Sequence, residues 1–333
     1  MALLRFHRSR VALSRLGWGC AVTTTAPPRT PAPVVRREPR PVPAWRRSLR
    51  PYVLSIPAVL IIVGILYPFV LGAYYAFLNY AAVVRRPVFV GLQNFGEILS
   101  DPAFWSSVRV TLVYAVVATV VETVLGIGIA LLLNRSSLVG RIFERVLILP
   151  LMIAPVIAGV IWGLMFNPQY GVLNYVLGLG STFDWLGEGT AIWSVILVDV
   201  WIYTPFVAIL VLAGIRSLPK EPFEASAVDG ASWFYMFRRL MLPMMWPYIL
   251  VAVIFRFMDS LKIFDHVFVL TAGGPGDATR TLQIGAYQNS IIQLQYSQGS
   301  TYMFLLWVIV FLTARYLVSV LGKAQRRAAG SED

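Results

Sequence analysis

Charge is scarce in this chain. Asp, Glu, Lys and Arg make up 13% of its 333 residues, while 58% are hydrophobic. A soluble domain carries about twice that share of charge. The shortfall excludes an ordinary cytosolic enzyme, a coiled coil and a wholly disordered chain. Cysteine is nearly absent: Cys20 stands alone, which excludes an internal disulfide and a thiolate metal site. His7 and His266 are the only histidines, leaving almost no material for zinc binding or histidine catalysis. No GxxxxGK[ST] run is present to cradle ATP phosphates, and no GxSxG run to present a nucleophile. No catalytic residue, bound metal or resident cofactor is therefore expected. The net charge of +12 is not a nucleic-acid signal either, because residues 1–51 hold eleven arginines against one acid, Glu38. Nucleic acid is not an expected partner, and the composition points to a polytopic membrane protein.

Those first residues alternate proline with arginine and cannot bury a core, so 1–51 reads as a disordered cytoplasmic tail or an over-extended start. They lack the apolar stretch and small-residue cleavage site of a signal peptide, and Leu16–Cys20 carries Trp18 where a lipidation site needs a small residue. Beyond the tail, apolar runs long enough to cross about 30 Å of hydrocarbon recur. Residues 51–84 are free of charge, giving helix 1 at about 53–78. Helix 2 lies within 110–134, where only Glu122 is charged, and helix 3 at about 146–166. Helix 4 falls at about 191–214 around Asp199, helix 5 at about 246–268, and helix 6 at about 301–321. The expected fold is an all-α membrane protein of six transmembrane helices spanning 52–322, with a short C-terminal tail at 323–333.

Lysine and arginine set the orientation. With the N-terminus inside, the cytoplasmic side collects 21 of them and the outside four: Arg85, Arg86, Arg109 and Arg280. Without the tail the ratio is still ten to four, so both termini are expected in the cytoplasm.

The connection between helices 4 and 5, residues 216–244, is long for a cytoplasmic loop and carries its own structural punctuation. Pro219 and Pro222 stop helix 4 and restart the chain. Glu221 and Glu224 fall in a first helical turn, where acids suit the helix dipole. Gly230 ends this short helix as a permissive cap. A second short segment starts at the N-cap candidate Ser232 and finishes at Pro243. Two short helices meeting at a glycine make a rigid knob able to transmit force from a cytoplasmic partner.

The run Glu224-Ala225-Ser226, Asp229-Gly230-Ala231 and Leu240-Met241-Leu242-Pro243 resembles the EAA loop of ABC importer permeases. Ser226 stands where alanine is usual and Leu240 where isoleucine is usual. Phe89–Phe95 (FVGLQNF), Phe166-Asn167-Pro168, Leu212-Ala213-Gly214 and Leu270–Pro275 (LTAGGP) narrow the resemblance to the carbohydrate-uptake, maltose-permease-like branch. The resemblance covers roughly 52–322. It implies a type I importer permease fold in a bacterial or archaeal cytoplasmic membrane, with Glu224, Ala225, Ser226, Asp229, Gly230, Ala231, Leu242 and Pro243 at the ATPase-coupling contact. It also implies two copies of a separate ABC ATPase that uses ATP and Mg, a second homologous permease, an extracytoplasmic solute-binding protein and a sugar substrate.

Helix 5 is expected to carry Arg256, Asp259, Lys262 and Asp265 three residues apart, alternating in sign. Two readings fit: a self-compensating ladder along one helix, or a hydrophilic solute path. Arg256 falls near mid-membrane, where an isolated charge costs at least about 2.5–3.5 kcal/mol, so it must face protein or water. The candidate path is Arg256, Asp259, Ser260 and Ile263, with Tyr203 and Phe206 on helix 4 as stacking surfaces; the resemblance likewise implies a sugar site at the centres of these two helices. Glu122 and Asp199 read as structural hydrogen-bonding groups or, in an ion-coupled carrier, as proton relays. That carrier is the alternative class. An intramembrane enzyme is a third, with no motif to support it.

Overall fold

The computed structural model describes residues 44–134 and 138–328. Two compact units divide the chain, Met1–Val59 and Leu60–Asp333. The first unit is described as the opening of helix α1 (Ala44–Tyr75). That helix begins inside the stretch expected as tail; the rest of the tail, 1–43, lies outside the described residues. The second unit completes α1 and then forms a two-residue antiparallel ladder, β1 (Leu78–Asn79) on β2 (Val88–Phe89). The short α2 (Gln93–Ser100) follows. Buried Asn94 secures this turn, its amide donating to the carbonyls of Ala76 and Leu78 at 2.8 Å each.

Helix α3 (Pro102–Leu133) starts where Asp101 caps it, the carboxylate accepting from the Ala103 amide at 2.9 Å, with proline in the first turn. The third expected span is not one straight helix. It is α4 (Leu138–Leu147), α5 (Leu149–Met152) and α6 (Pro155–Met165), with a 95° bend between Gly140–Met152 and Pro155–Met165. Pro155 is the cause: it disfavours helical torsions at the preceding residue, and Ala154 sits at φ −59°, ψ 133°. Helix α7 (Val172–Leu177) is short, and α8 (Ala191–Arg216) runs unbroken through Pro205. Among the described residues five helices are long and apolar enough to span a membrane, six if the bent pair is one span.

After α8 come α9 (Glu221–Val228) and α10 (Trp233–Met236). A π-helical turn, Phe237–Met241, joins α10 to α11 (Leu242–Ser260), so Trp233–Ser260 is one continuous candidate span. The expected stop at Pro243 does not occur. Proline is tolerated in a first helical turn, and the π turn before it has already altered the hydrogen-bond register. The helix ends at Ser260 rather than near 268, and Asp265 opens a separate helix, α12 (Asp265–Thr271). The expected four-residue charge ladder is therefore broken after Asp259. Helix α13 (Leu282–Tyr287), a π turn (Gln288–Ile292) and α14 (Tyr296–Ala328) complete the unit, α14 running into the expected C-terminal tail.

Helices α3, α8 and α11 form the centre, and they bury two separate apolar clusters. One contains Ala130, Val207, Val211, Ile215, Met245, Ile249 and Ala252. The other contains Tyr114, Ala118, Val195, Val200, Ile263 and Val267. Close approach depends on Gly126 in α3, where an added Cβ would meet Val207 Cγ1 at 2.6 Å. At the bend, α12 crosses α6 closely over Gly159, whose added Cβ would lie 3.2 Å from His266 Cα.

Candidate functional site: a buried charge cluster and an exposed loop

Between the two apolar clusters lies a layer of charge. On α3 the buried stripe runs Ala115, Ala118, Glu122, Gly126, Ala130, and on α11 it runs Met245, Ile249, Ala252, Arg256, Ser260. These are helical spacings of three and four, so Glu122 and Arg256 occupy core positions by register. Asp199 does the same on α8, beside Val195 and Ile202. Arg256 is 2% exposed, while Glu122 and Asp199 are fully buried.

Every nitrogen of the guanidinium is used. Nε donates to Glu122 Oε2 at 2.6 Å and Nη2 to Glu122 Oε1 at 2.9 Å, a bidentate pair. Nη2 also donates to Asp199 Oδ2 at 2.8 Å and to Ser260 Oγ at 3.1 Å. Nη1 donates to Asp259 Oδ2 at 3.0 Å. The Tyr203 ring lies over Cζ at 4.0 Å, adding cation–π attraction. A fourth helix joins through His266 of α12, whose Nε2 is 3.7 Å from Asp199 Oδ1 and 2.9 Å from the Tyr114 hydroxyl of α3.

The geometry sorts the expected path residues. Arg256, Ser260 and Ile263 are buried, and Arg256 bridges three helices. Asp259, three residues off the buried stripe, keeps 52% of its side chain exposed, and Tyr203 is half-buried. Phe206 packs at the edge of the core, its ring 6.5 Å from that of Phe255 on α11. Of the expected path residues, then, Asp259 is exposed and Tyr203 and Phe206 are half-buried, and Arg256 holds Tyr203 and Asp259 together. Glu122 and Asp199, the acids a proton relay would need, are both bonded to Arg256. Sequence reasoning paired Arg256 with Asp259 alone and set His266 aside. The usable signal was one lone charge in each of two other spans, since charges on separate membrane helices find each other.

The 216–244 loop is built in the opposite manner. Helix α9 ends in a Schellman pattern: the Gly230 amide donates to Ala227 O at 3.1 Å and the Ala231 amide to Ser226 O at 3.0 Å. Gly230 takes φ +75°, and Ser232 caps α10 by accepting from the Tyr235 amide at 3.3 Å. Both signals were legible in the sequence. Glu224, Ala225, Asp229 and Gly230 are exposed, as is Pro243; Ser226, Ala231 and Leu242 are half-buried. Val228, Trp233, Phe234 and Tyr235 are also exposed, a large apolar surface that the sequence reading did not single out. Behind the knob a cavity of about 560 Å³ opens between Asn134, Arg216, Phe223, Glu224 and Trp233.

The membrane unit thus joins a polar lock between its central spans to an exposed two-helix knob between two of them, and its likeness to known proteins shows its class to be a membrane permease. The chain belongs to the family described as the binding-protein-dependent transport system inner membrane component, whose model matches residues 122–327. It is a permease subunit of an ABC importer. It is 40% identical over 233 residues to a probable ABC transporter permease protein, y4oQ, of Sinorhizobium fredii, covering 69% of this chain and 75% of that protein. It is 35% identical over 270 residues to the trehalose/maltose transport system permease protein MalF of Thermococcus litoralis, covering 80% and 91%. Its fold is similar to a chain in the crystal structure of a bacterial ABC transporter involved in import of the acidic polysaccharide alginate. There the TM-score is 0.74 at 20% identity, over 84% of this chain and 96% of that one.

Proposed function

We propose that this chain translocates a sugar or sugar-like solute inward across the cytoplasmic membrane, with both termini in the cytoplasm, driven by ATP hydrolysis on a separate subunit. The exposed knob carries this reading. A rigid helix pair with Glu224 and Gly230 at its tip and uncovered Trp233, Phe234 and Tyr235 on its flank is a surface made for a partner. That partner is an ABC ATPase, in two copies for a pair of permeases, binding ATP and Mg. A second homologous permease completes the membrane part, and an extracytoplasmic solute-binding protein delivers the sugar. The trehalose/maltose relative supports sugar as the solute class, and the positive charge of the connections supports the orientation.

Mechanically, the loop is continuous with α8 on one side and α11 on the other. The Arg256 cluster ties those two helices to α3, so a push on 224–243 moves three spans as one body. Affinity isolation of the tagged chain from native membranes is expected to recover an ATPase, a second permease and a binding protein. Glu224→Lys is expected to abolish sugar uptake and ATPase recovery while leaving membrane insertion intact. Normal uptake by that variant, or isolation of the chain without an ATPase, would reject the coupling assignment.

A further inference from the structure

Charge near the Tyr203–Asp259 surface is distributed unevenly. The arginine beneath it is consumed: its nitrogens are bonded to Glu122, Asp199, Asp259 and Ser260, and Tyr203 covers its open face. Lys262 lines a different feature, an apolar groove with Phe69 and Trp307. Arg280 lies near Asp277, 3.8 Å away. Exposed on the Arg256 cluster beside Tyr203 is Asp259, and Asp265 is exposed at the start of α12. Arg256 is already paired inside the protein with Glu122 and Asp199, so the charge left at the Tyr203 surface is the Asp259 carboxylate.

We infer that this permease selects a neutral polyhydroxyl solute and rejects anionic ones, because Arg256 is sealed off by its carboxylates and the surface it holds out is a carboxylate beside an aromatic ring. Asp259 can accept from two hydroxyls, and Tyr203 offers a face for the apolar side of a pyranose ring. A solute carboxylate or phosphate would meet Asp259 at close range while Arg256 is already taken up by carboxylates, and like charges brought together repel. Arg256 is thereby a positioning residue, fixing the ring and the carboxylate without touching solute. The inference rests on the reading of this face as part of the solute path, and goes beyond it by assigning the charge class.

The test uses the membrane complex isolated through a tag on this chain and washed free of binding protein. Saturation-transfer NMR then compares maltotriose with an uncharged reducing end against trimannuronate, a trisaccharide of similar size bearing three carboxylates. Maltotriose is expected to take up saturation from the complex and to lose it in Tyr203→Ala. Trimannuronate is expected to bind at least about tenfold more weakly, a ratio worth about 1.4 kcal/mol, and Asp259→Asn is expected to close most of that gap. Equal binding of the two sugars to the unmodified complex, or an unchanged ratio in Asp259→Asn, would overturn the charge assignment while leaving the path in place. Saturation of neither sugar, or saturation indifferent to Tyr203→Ala, would remove the solute path from this face and with it the reading beneath.

Discussion

The Arg256 cluster and the 216–244 loop use polar residues to opposite ends. In the cluster every charged group finds a partner inside the chain: three helices meet at a single guanidinium, and a fourth joins through His266. In the loop the helices are satisfied only locally, through a Schellman turn and one serine cap, and Glu224, Asp229 and Trp233–Tyr235 face outward. The difference follows from surroundings. A charge in hydrocarbon has no water to fall back on, so it is retained only where it can be fully paired. A loop at the aqueous boundary can leave Glu224 and Asp229 to solvent at no such cost. The first region therefore stiffens the membrane domain, and the second stays available for a partner.

Breaking the cluster should produce the largest effect. Arg256→Met leaves Glu122 and Asp199 buried beside each other without a cation, and loss of one partner from a buried ionic group typically costs about 3–5 kcal/mol. The expected result is a severe drop in folded protein, read as the monodisperse fraction in detergent and its thermal midpoint. The triple variant Glu122→Leu, Asp199→Leu, Arg256→Met removes all three charges together and is expected to recover most of that stability. If the triple variant were no better folded than the single one, the cost would lie in packing volume and not in unpaired charge.

The middle of the scale lies in the loop. Gly230 has open space around it, with nothing within 4 Å of an added Cβ, yet its φ is +75°. Gly230→Ala therefore meets torsional strain without a clash, about 1 kcal/mol for an L-residue in the left-handed region. Expression and thermal midpoint should stay near the parent's while uptake falls, because the angle between α9 and α10 shifts. Gly230→Asn, which tolerates that torsion better, should retain more uptake than the alanine variant. The reverse order would show that the side chain at 230 matters by contact and not by backbone shape.

Much of this was readable from residue types alone, and the gaps have physical causes. The caps at Gly230 and Ser232 were legible because they depend on backbone torsions that few residues tolerate. The continuity of Trp233–Ser260 was not, because a π turn leaves no residue signature and Pro243 looked like a stop. The bend at Ala154–Pro155 is hidden for a related reason: Pro150 and Pro155 sit in an unbroken apolar run whose length alone satisfies a membrane span. The Glu122–Arg256–Asp199 contact joins residues 134 and 57 positions apart, and no local pattern reports that pairing. A local partner, Asp259, was present and real, and it masked the two distant ones.

The smallest effect is expected where charge pairing occurs in the open. Arg216 at the end of α8 donates two hydrogen bonds to Glu144 of α4, at 3.1 and 3.0 Å, a bidentate geometry like that of Arg256 with Glu122. Here, however, half of the arginine side chain and about a third of the glutamate's are exposed. Water competes for both partners, and such pairs are worth less than about 1 kcal/mol. Glu144→Gln is expected to lower the thermal midpoint only slightly, and about 1 M salt, where the screening length falls to about 3 Å, should erase the difference. The defect of Arg256→Met should persist in the same salt, since screening ions do not enter the packed layer between α3, α8 and α11. A salt-insensitive loss at Glu144, or a salt-rescued loss at Arg256, would mean that burial and not hydrogen-bond geometry is the wrong variable for ranking the two pairs.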